Sequence, residues 1–180
     1  NSFMVNRIIN NKVLSILILL TIHFLFRAIL LANDVFPFNS DEAVVGLMAK
    51  HILAGENFLY FYGQSYMGSV DAYLISLGFA LFGVHIVVIR IVQIFLYAVT
   101  ILFFYLYIDL IFQDRKISFF SALFLVFPVV NVVLYTTITL GGYGEALLLG
   151  SISLYLSEII KTKIIDNHKS NFLLALLGLV

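Results

Sequence analysis

The sequence predicts an all-α protein, a polytopic transmembrane helical bundle, on the strength of three observations. Hydrophobic residues make up 62% of the 180 residues, and charged residues make up only 11%. The mean hydropathy is +1.08. The apolar residues also form long uninterrupted runs, which a water-soluble core of this size does not need. The predicted environment of the chain is therefore a lipid bilayer.

Four apolar runs approach or exceed the roughly 20 residues that a helix needs to cross the hydrocarbon core of a membrane. A fifth run starts near the end of the sequence and is truncated there. We therefore interpret residues 1–180 as the N-terminal part of one longer transmembrane domain. The predicted spans are residues 13–32, 86–112, 117–135, 142–160 and the truncated 172–180. Pro128 predicts a kink inside the third span.

Basic residues predict which ends of the spans face the cytoplasm, because they resist translocation across the membrane. Seven of the ten basic residues flank the spans on one side: Arg7, Lys12, Arg115, Lys116, Lys161, Lys163 and Lys169. The opposite side receives residues 33–85 and 136–145. Six acidic residues lie in these two segments: Asp34, Asp41, Glu42, Glu56, Asp71 and Glu145. The predicted location is the plasma (inner) membrane of a prokaryote, with the acidic segments facing outward.

The first outer segment, residues 33–85, predicts two juxtamembrane helices, at about residues 41–54 and 71–83. Asn39 or Ser40 can cap the first of them. At about 100° per residue, one stripe of this helix would face the headgroup layer. That stripe contains Asp41, Val44, Val45, Met48 and Ile52. The second helix is too short to cross a bilayer comfortably, and it is interpreted as a juxtamembrane or re-entrant helix.

Composition also excludes several classes of site. The chain has no cysteine, which excludes disulfides and thiolate catalysis. A net charge of zero without a basic stripe gives no indication of nucleic-acid binding. His51 and His85 lack the spacing of zinc ligands.

A series of motifs lies in or beside the predicted outer segments: Asn39-Ser40-Asp41-Glu42-Ala43, Tyr62-Gly63-Gln64-Ser65-Tyr66-Met67-Gly68-Ser69, Leu81-Phe82-Gly83, Arg90 and Gly141-Gly142-Tyr143-Gly144-Glu145. In their order and placement, these motifs resemble the N-terminal half of GT-C glycosyltransferases. The similar groups are family 39, of the protein mannosyltransferase type, and the bacterial aminoarabinose transferases. One departure is the sequence from Ser65 to Gly68, where many relatives carry a Pro-Pro pair.

The resemblance implies a GT-C-like bundle that moves a sugar from a polyprenyl-phosphate donor to an acceptor, with inversion at the anomeric carbon. The acceptor would be a protein, a lipid or a glycan on the extracytoplasmic side. The resemblance implies that Asp41 is the base and that Glu42 is the second member of the acidic pair. It also implies that Glu145 is a further acid of the same site and that Arg90 is the arginine at the outer end of the next span.

The chemistry of glycosyl transfer is compatible with these residues. A carboxylate such as Asp41 can remove or orient the proton of an acceptor hydroxyl. A cation near the interface would stabilise the departing phosphate, and the candidates are Arg90, Lys50 and Arg27. For Arg27, however, snorkelling to the headgroups is the favoured interpretation. The further substrate-binding candidates are Tyr62, Gln64, Tyr66, Asp71 and Tyr143.

Simpler structural roles compete with these assignments. Asp41, Glu42 and Glu145 can each be first-turn carboxylates that the helix dipole favours. Asp71 either joins the acidic group or opens the second juxtamembrane helix. Two or three outward carboxylates could hold a magnesium or manganese ion, but nothing in their spacing requires one. The absence of an Asp-x-Asp triplet favours a lipid-linked donor over a nucleotide sugar.

Two non-enzymatic functions remain as alternatives. A transporter or channel subunit would line a path with acidic residues and arginines, and it would carry polar groups near the middle of the bilayer. A flippase or ligase subunit for lipid-linked glycans would bind lipid without turning over a donor. Because most charges lie at the predicted interfaces, the sequence favours the enzyme.

Overall fold

The computed structural model describes residues 9, 11–165 and 178, and this part of the chain is mostly helical. The elements in chain order are α1 Lys12–Ala32, α2 Ser40–Leu53, β1 Tyr60–Phe61, β2 Gln64–Gly68, α3 Val70–Phe82, α4 Ile86–Phe112, α5 Arg115–Val126, α6 Val130–Tyr135 and α7 Tyr143–Ile165. Among the described residues, α1 and α4 are the helices that are long and apolar enough to cross a membrane. The predicted helical class is thus confirmed, with two candidate spans.

The first two predicted spans correspond closely to α1 and α4. The run predicted as the third span, 117–135, is divided between α5 and α6. The break follows from Pro128, which has no N–H to donate and whose ring clashes with the preceding turn. The run predicted as the fourth span lies in α7. The predicted fifth span, 172–180, lies outside the described residues except for residue 178.

Helix α2 begins where the sequence predicts, because Asn39 caps it. The Asn39 side chain accepts a hydrogen bond from the backbone N–H of Glu42 at 2.9 Å. The buried face of the helix contains Glu42, Val45, Gly46, Met48 and Ala49. Four members of the predicted stripe, Val44, Val45, Met48 and Ile52, pack in or against the core. The prediction for Asp41 is wrong, because Asp41 is only half-buried and Glu42 is on the buried face. The reason is that α2 packs against α3.

A small hydrophobic core joins α2 to its neighbours. Its buried members come from α2, β1, α3 and the start of α4: Val45, Met48, Ala49, Phe61, Ala72, Ile75, Phe79, Val88 and Ile89. Gly78 allows close approach of α3 and α4, because a Cβ there would lie 2.9 Å from the Val92 side chain and 3.0 Å from that of Val88. This core fixes the position of the first turn of α2.

A β-hairpin between α2 and α3 was not predicted by the sequence. Strands β1 and β2 are antiparallel, with Tyr60 opposite Gly68 and Phe61 opposite Gln64. Gly63 forms the turn with φ of 73°, a conformation that other residues rarely adopt. Because two such short strands are marginal by themselves, burial of Phe61 in the core anchors the hairpin.

The chain forms two compact units. Unit 1 contains the described residues of 1–25, 98–128 and 147–180, and unit 2 contains residues 26–97 and 129–146. In unit 1, Lys12 Nζ forms an ion pair of 2.8 Å with Asp109. Unit 2 contains the six acidic residues that the sequence predicts to face outward, together with Arg27 and Arg90. All candidate site residues therefore belong to unit 2.

Candidate functional site

Arg90 and Glu42 form a buried, bidentate ion pair. Arg90 Nε and Nη2 donate to the two carboxylate oxygens of Glu42, each at 3.0 Å. The pair joins the first turn of α2 to the second turn of α4. Such paired, charge-assisted hydrogen bonds are among the strongest in proteins and fix both groups in orientation. The carboxylate of Glu42 is thus fully engaged by Arg90.

The neighbouring carboxylate of Asp41 has different surroundings. Asp41 is half-buried, and its carboxylate makes no hydrogen bond or ion pair with any other described residue. Successive residues on a helix point about 100° apart, so Glu42 can face α4 while Asp41 does not. The two adjacent acids therefore differ: the carboxylate of Glu42 is paired with Arg90, and the carboxylate of Asp41 is open.

A second polar cluster surrounds Asp71 in the first turn of α3. Its Oδ1 accepts a hydrogen bond of 2.6 Å from Gln93 Nε2, and its Oδ2 accepts one from the hydroxyl of Thr139. Burial raises the pKa of Asp71, an effect that these hydrogen bonds oppose. Gln93 lies three residues after Arg90 on α4. Since residues three apart share a helix face, Glu42 and Asp71 are bound by the same face of α4.

Glu145 adjoins this cluster. Glu145 is only 7% exposed, and its carboxyl group interacts with Asp71. Neither of its carboxylate oxygens has a hydrogen-bond partner of ordinary geometry among the described residues. The preceding Gly144 permits the close approach, because a Cβ there would lie 2.6 Å from Gln93 Oε1. Asp71 therefore joins an acidic group with Glu145 in addition to opening its helix.

Arg27 is fully buried, so the interpretation that it snorkels to the headgroups is wrong. Its guanidinium donates to the carbonyl of Val133 at 2.8 Å, to Thr136 Oγ1 at 2.6 Å and to the hydroxyl of Thr137. It also lies 5.2 Å from the ring centroid of Tyr97. These acceptors replace the water that a snorkelling arginine would reach.

The predicted substrate-binding aromatics fall into two groups. The Tyr62 hydroxyl is 2.6 Å from Nδ1 of His51, so it is already bound within the protein. Tyr66 is 82% exposed. Tyr143 is exposed and stacks on Tyr135, with 4.8 Å between ring centroids. Tyr66 and Tyr143 therefore keep accessible ring surface, whereas the hydroxyl of Tyr62 has a structural partner.

Two cavities lie beside the Glu42–Arg90 pair, and both are lined by Phe38 and Ile86. One has a volume of about 310 Å³ and includes Glu42 and Lys50 in its lining. The other has a volume of about 420 Å³ and includes Arg90. Each cavity thus combines apolar walls with one member of the ion pair.

Gln64 is the last predicted substrate-binding residue, and a metal ion is the last predicted component of the site. Gln64 Oε1 is buried without a hydrogen-bond partner in the described part of the chain. In that same part, no group of three or more His, Cys, Asp or Glu side chains is arranged to share a metal ion. Glu42 instead pairs with Arg90, and Asp71 and Glu145 form a separate group beside Gln93.

Sequence reasoning did not assign three polar residues to the site: Gln93, Thr139 and His51. Gln93 carries a usable signal, because an amide in an otherwise apolar span needs a partner. Thr139 gives no such signal, since it lies in a predicted outer segment, where a hydroxyl group needs no partner within the protein. His51 was considered only as a zinc ligand, whereas it binds Tyr62.

The family model for dolichyl-phosphate-mannose-protein mannosyltransferases matches residues 68–179, well over half of the chain. The match includes Asp71, Arg90, Gln93 and Glu145, and it begins after Asp41 and Glu42. No curated protein and no solved structure matches the chain.

Proposed function

Because the chain belongs to the dolichyl-phosphate-mannose-protein mannosyltransferase family of GT-C glycosyltransferases, we propose that it transfers a sugar from a polyprenyl-phosphate donor. The acceptor is a hydroxyl of a protein, a lipid or a glycan. The family and the two apolar helices indicate a membrane protein. In the proposal, the protein crosses the plasma membrane of a prokaryote several times, and the reaction takes place on the outer side.

Asp41 is the proposed base of an inverting displacement. The acceptor oxygen bonds to the anomeric carbon as the bond from that carbon to the phosphate oxygen breaks, and the electron pair leaves with the phosphate. The proton of the acceptor hydroxyl passes to the Asp41 carboxylate. The observation that carries this assignment is the engagement of both Glu42 oxygens by Arg90, which leaves Asp41 as the open member of the pair.

The negative charge that develops on the departing phosphate requires a fixed cation. Arg90 lines the cavity of about 420 Å³, and Glu42 holds its guanidinium in one orientation. Lys50 lines the cavity of about 310 Å³ and is the second candidate. Apolar walls in both cavities suit the first isoprene units of a lipid-linked donor.

The sugar and the acceptor would meet the remaining polar groups of unit 2. Glu145 has carboxylate oxygens that can accept hydrogen bonds from sugar hydroxyls. Tyr66 and Tyr143 offer exposed rings for stacking. In the proposal Tyr62, Gln64 and Asp71 shape this region, with Tyr62 acting through its ring since its hydroxyl is bound to His51.

The test is donor turnover by the full-length protein in liposomes, with a panel of polyprenyl-phosphate sugars, with and without a chelator. We expect Asp41→Asn to lower turnover by about 100-fold or more, the usual contribution of a general base. Glu56→Gln, which removes an exposed acid from the same outer segment, is the matched control and should leave turnover unchanged. Full activity of the Asp41 variant would overturn the assignment of the base.

The same assay separates the enzyme from its alternatives. A chelator that abolishes turnover would place a magnesium or manganese ion in the reaction. A wild-type protein that binds or moves the lipid-linked sugar across the bilayer without cleaving it would instead be a flippase or transporter subunit.

A further inference from the structure

The chain leaves helical conformation between α6 and α7, at residues 136–142. Helix α6 has six residues and is too short to be stable by itself. The last carbonyl groups of any helix lack intrahelical partners. Here the backbone N–H groups that follow α6 bond to the carbonyls of Val132 and Leu134. The carbonyl of Val133 instead accepts its hydrogen bonds from side chains.

Two threonines follow α6 and donate their hydroxyl protons to its carbonyl groups. Thr136 Oγ1 donates to the carbonyl of Val132 at 2.5 Å, and Thr137 Oγ1 donates to that of Val133 at 2.6 Å. Each hydroxyl has a single proton to donate and two lone pairs. Both threonines are consequently left as hydrogen-bond acceptors.

Arg27 uses those acceptors. Its guanidinium binds both threonine hydroxyls and the Val133 carbonyl. No carboxylate lies within ion-pair distance of Arg27 among the described residues, so these neutral acceptors and the Tyr97 ring surround its charge. Desolvation of a cation costs several kcal/mol. Burial of Arg27 is thus sustained only while the end of α6 stays in place.

The fixed end of α6 leads directly to the acidic cluster. Thr139 is two residues beyond Thr137, and its hydroxyl binds Asp71. Gly141 and Gly142, with φ of 80° and 85°, then turn the chain into α7. Glu145 follows in the first turn of α7, against Asp71.

We infer that Arg27 is a positioning residue of the transferase, which holds residues 136–142 so that Thr139 and Glu145 meet Asp71. This inference rests on the proposed function for its kinetic consequence. Its structural content, the dependence of the interrupted segment on one guanidinium, is independent of that function. The role differs from phosphate binding, because every contact of Arg27 given above is with the protein itself.

The first test is amide hydrogen exchange of the full-length protein in lipid nanodiscs. We expect Arg27→Gln to speed exchange at residues 136–142 by about tenfold or more, since a loss of about 1.4 kcal/mol of protection corresponds to that factor. Residues 46–53 of α2 should be unaffected. Lys116→Gln, which removes an exposed cation of unit 1, is the matched control. Unchanged exchange at 136–142 in the Arg27 variant would overturn the inference.

The second test is a double-mutant cycle on donor turnover. Arg27→Gln should lower kcat by about 10- to 100-fold, the effect of misplacing a reacting group by a fraction of an ångström to an ångström. Thr137→Val removes one acceptor of Arg27 while preserving shape, so by itself it should also lower kcat, and this holds even if the arginine variants fold poorly. Its effect should not add to that of Arg27→Gln, and Arg27→Lys should restore part of the activity.

The outcomes are distinguishable. Additive effects of the two substitutions on kcat would overturn the inference and leave the proposed transferase standing. Altered exchange in a protein that turns over no donor would support the structural link while the proposed function fails.

Discussion

Arg90 donates to both carboxylate oxygens of Glu42, and the two side chains are only 9% and 0% exposed. The pair is the polar contact between the first turn of α2 and α4, and it distinguishes two adjacent acids. Glu42 acts as a buried counter-ion, whereas Asp41 keeps an open carboxylate. Replacing Glu42 should accordingly change stability, whereas replacing Asp41 should change activity.

Glu42→Gln should lower the free energy of unfolding by about 3 to 5 kcal/mol, because it leaves the charge of Arg90 buried and uncompensated. Asp41→Asn should lower it by no more than about 1 kcal/mol, the size of a helix-dipole interaction. Both values can be measured by denaturant unfolding of the purified protein in detergent. Replacing Glu42 and Arg90 together by methionine should recover much of the loss. Equal destabilisation by the two single substitutions would contradict the assignment.

Gly144→Ala should disturb the Asp71 cluster, because the new Cβ would meet Gln93 Oε1 at 2.6 Å. Gln93 would have to move away from Asp71, and we expect a loss of stability of about 1 to 3 kcal/mol, as for other overpacked sites. Gly150→Ala on the same helix is the control, since no atom lies within 4 Å of its added Cβ. That substitution should stabilise α7 by about 0.5 to 1 kcal/mol. Thermal unfolding of both variants would show opposite shifts.

The helices could be predicted because their signals are local. Run length and hydropathy gave α1 and α4, and Pro128 marked the break that separates α5 from α6. Asn39 marked the start of α2. The hairpin could not be predicted, because its two short strands depend on the burial of Phe61 in a core that only the folded chain assembles.

The partners of the charged residues could not be predicted for a related reason. The pairing of Glu42 with Arg90 depends on which face of α2 packs against α3, and a rotation of 100° exchanges Glu42 with Asp41. The burial of Arg27 depends on Thr136 and Thr137, more than 100 residues away along the chain. Convergence of Asp41 itself with Glu145 and Arg90 stays a prediction, since the contacts of the structure involve Glu42 instead.

Tyr62→Phe should lower the free energy of unfolding, because it removes the hydrogen bond of 2.6 Å to His51. Tyr66→Phe is the matched control, since Tyr66 is 82% exposed, and it should leave stability unchanged. If the exposed ring of Tyr66 binds substrate, Tyr66→Ala should raise the KM for donor or acceptor while Tyr66→Phe has little effect. A larger KM effect from Tyr62→Phe than from Tyr66→Ala would show that the hydroxyl of Tyr62 leaves His51 to bind substrate.

Asp71 should make stability depend on pH. Burial raises its pKa in the folded protein, so the folded state favours the protonated acid. The stabilisation from protonated Asp71 is fully present below the pKa of an aspartate in the unfolded chain, about 3.9. It is lost as the pH rises through the raised pKa of Asp71 in the folded protein. Each unit of separation between the two pKa values contributes about 1.4 kcal/mol.

Asp71→Asn keeps the shape of the side chain and removes its titration, so its unfolding midpoint should fall less with rising pH than that of the wild type. The groups that face Asp71 are Gln93, Thr139 and Glu145. Glu145 is the one among them that also titrates. The unfolding midpoint of the double variant Asp71→Asn, Glu145→Gln should therefore change even less with pH. Glu56→Gln, an exposed acid, should follow the wild-type curve. If the unfolding midpoints of Asp71→Asn and the wild type change in parallel from about pH 4 to about pH 9, the buried carboxyl group does not take up a proton in this range.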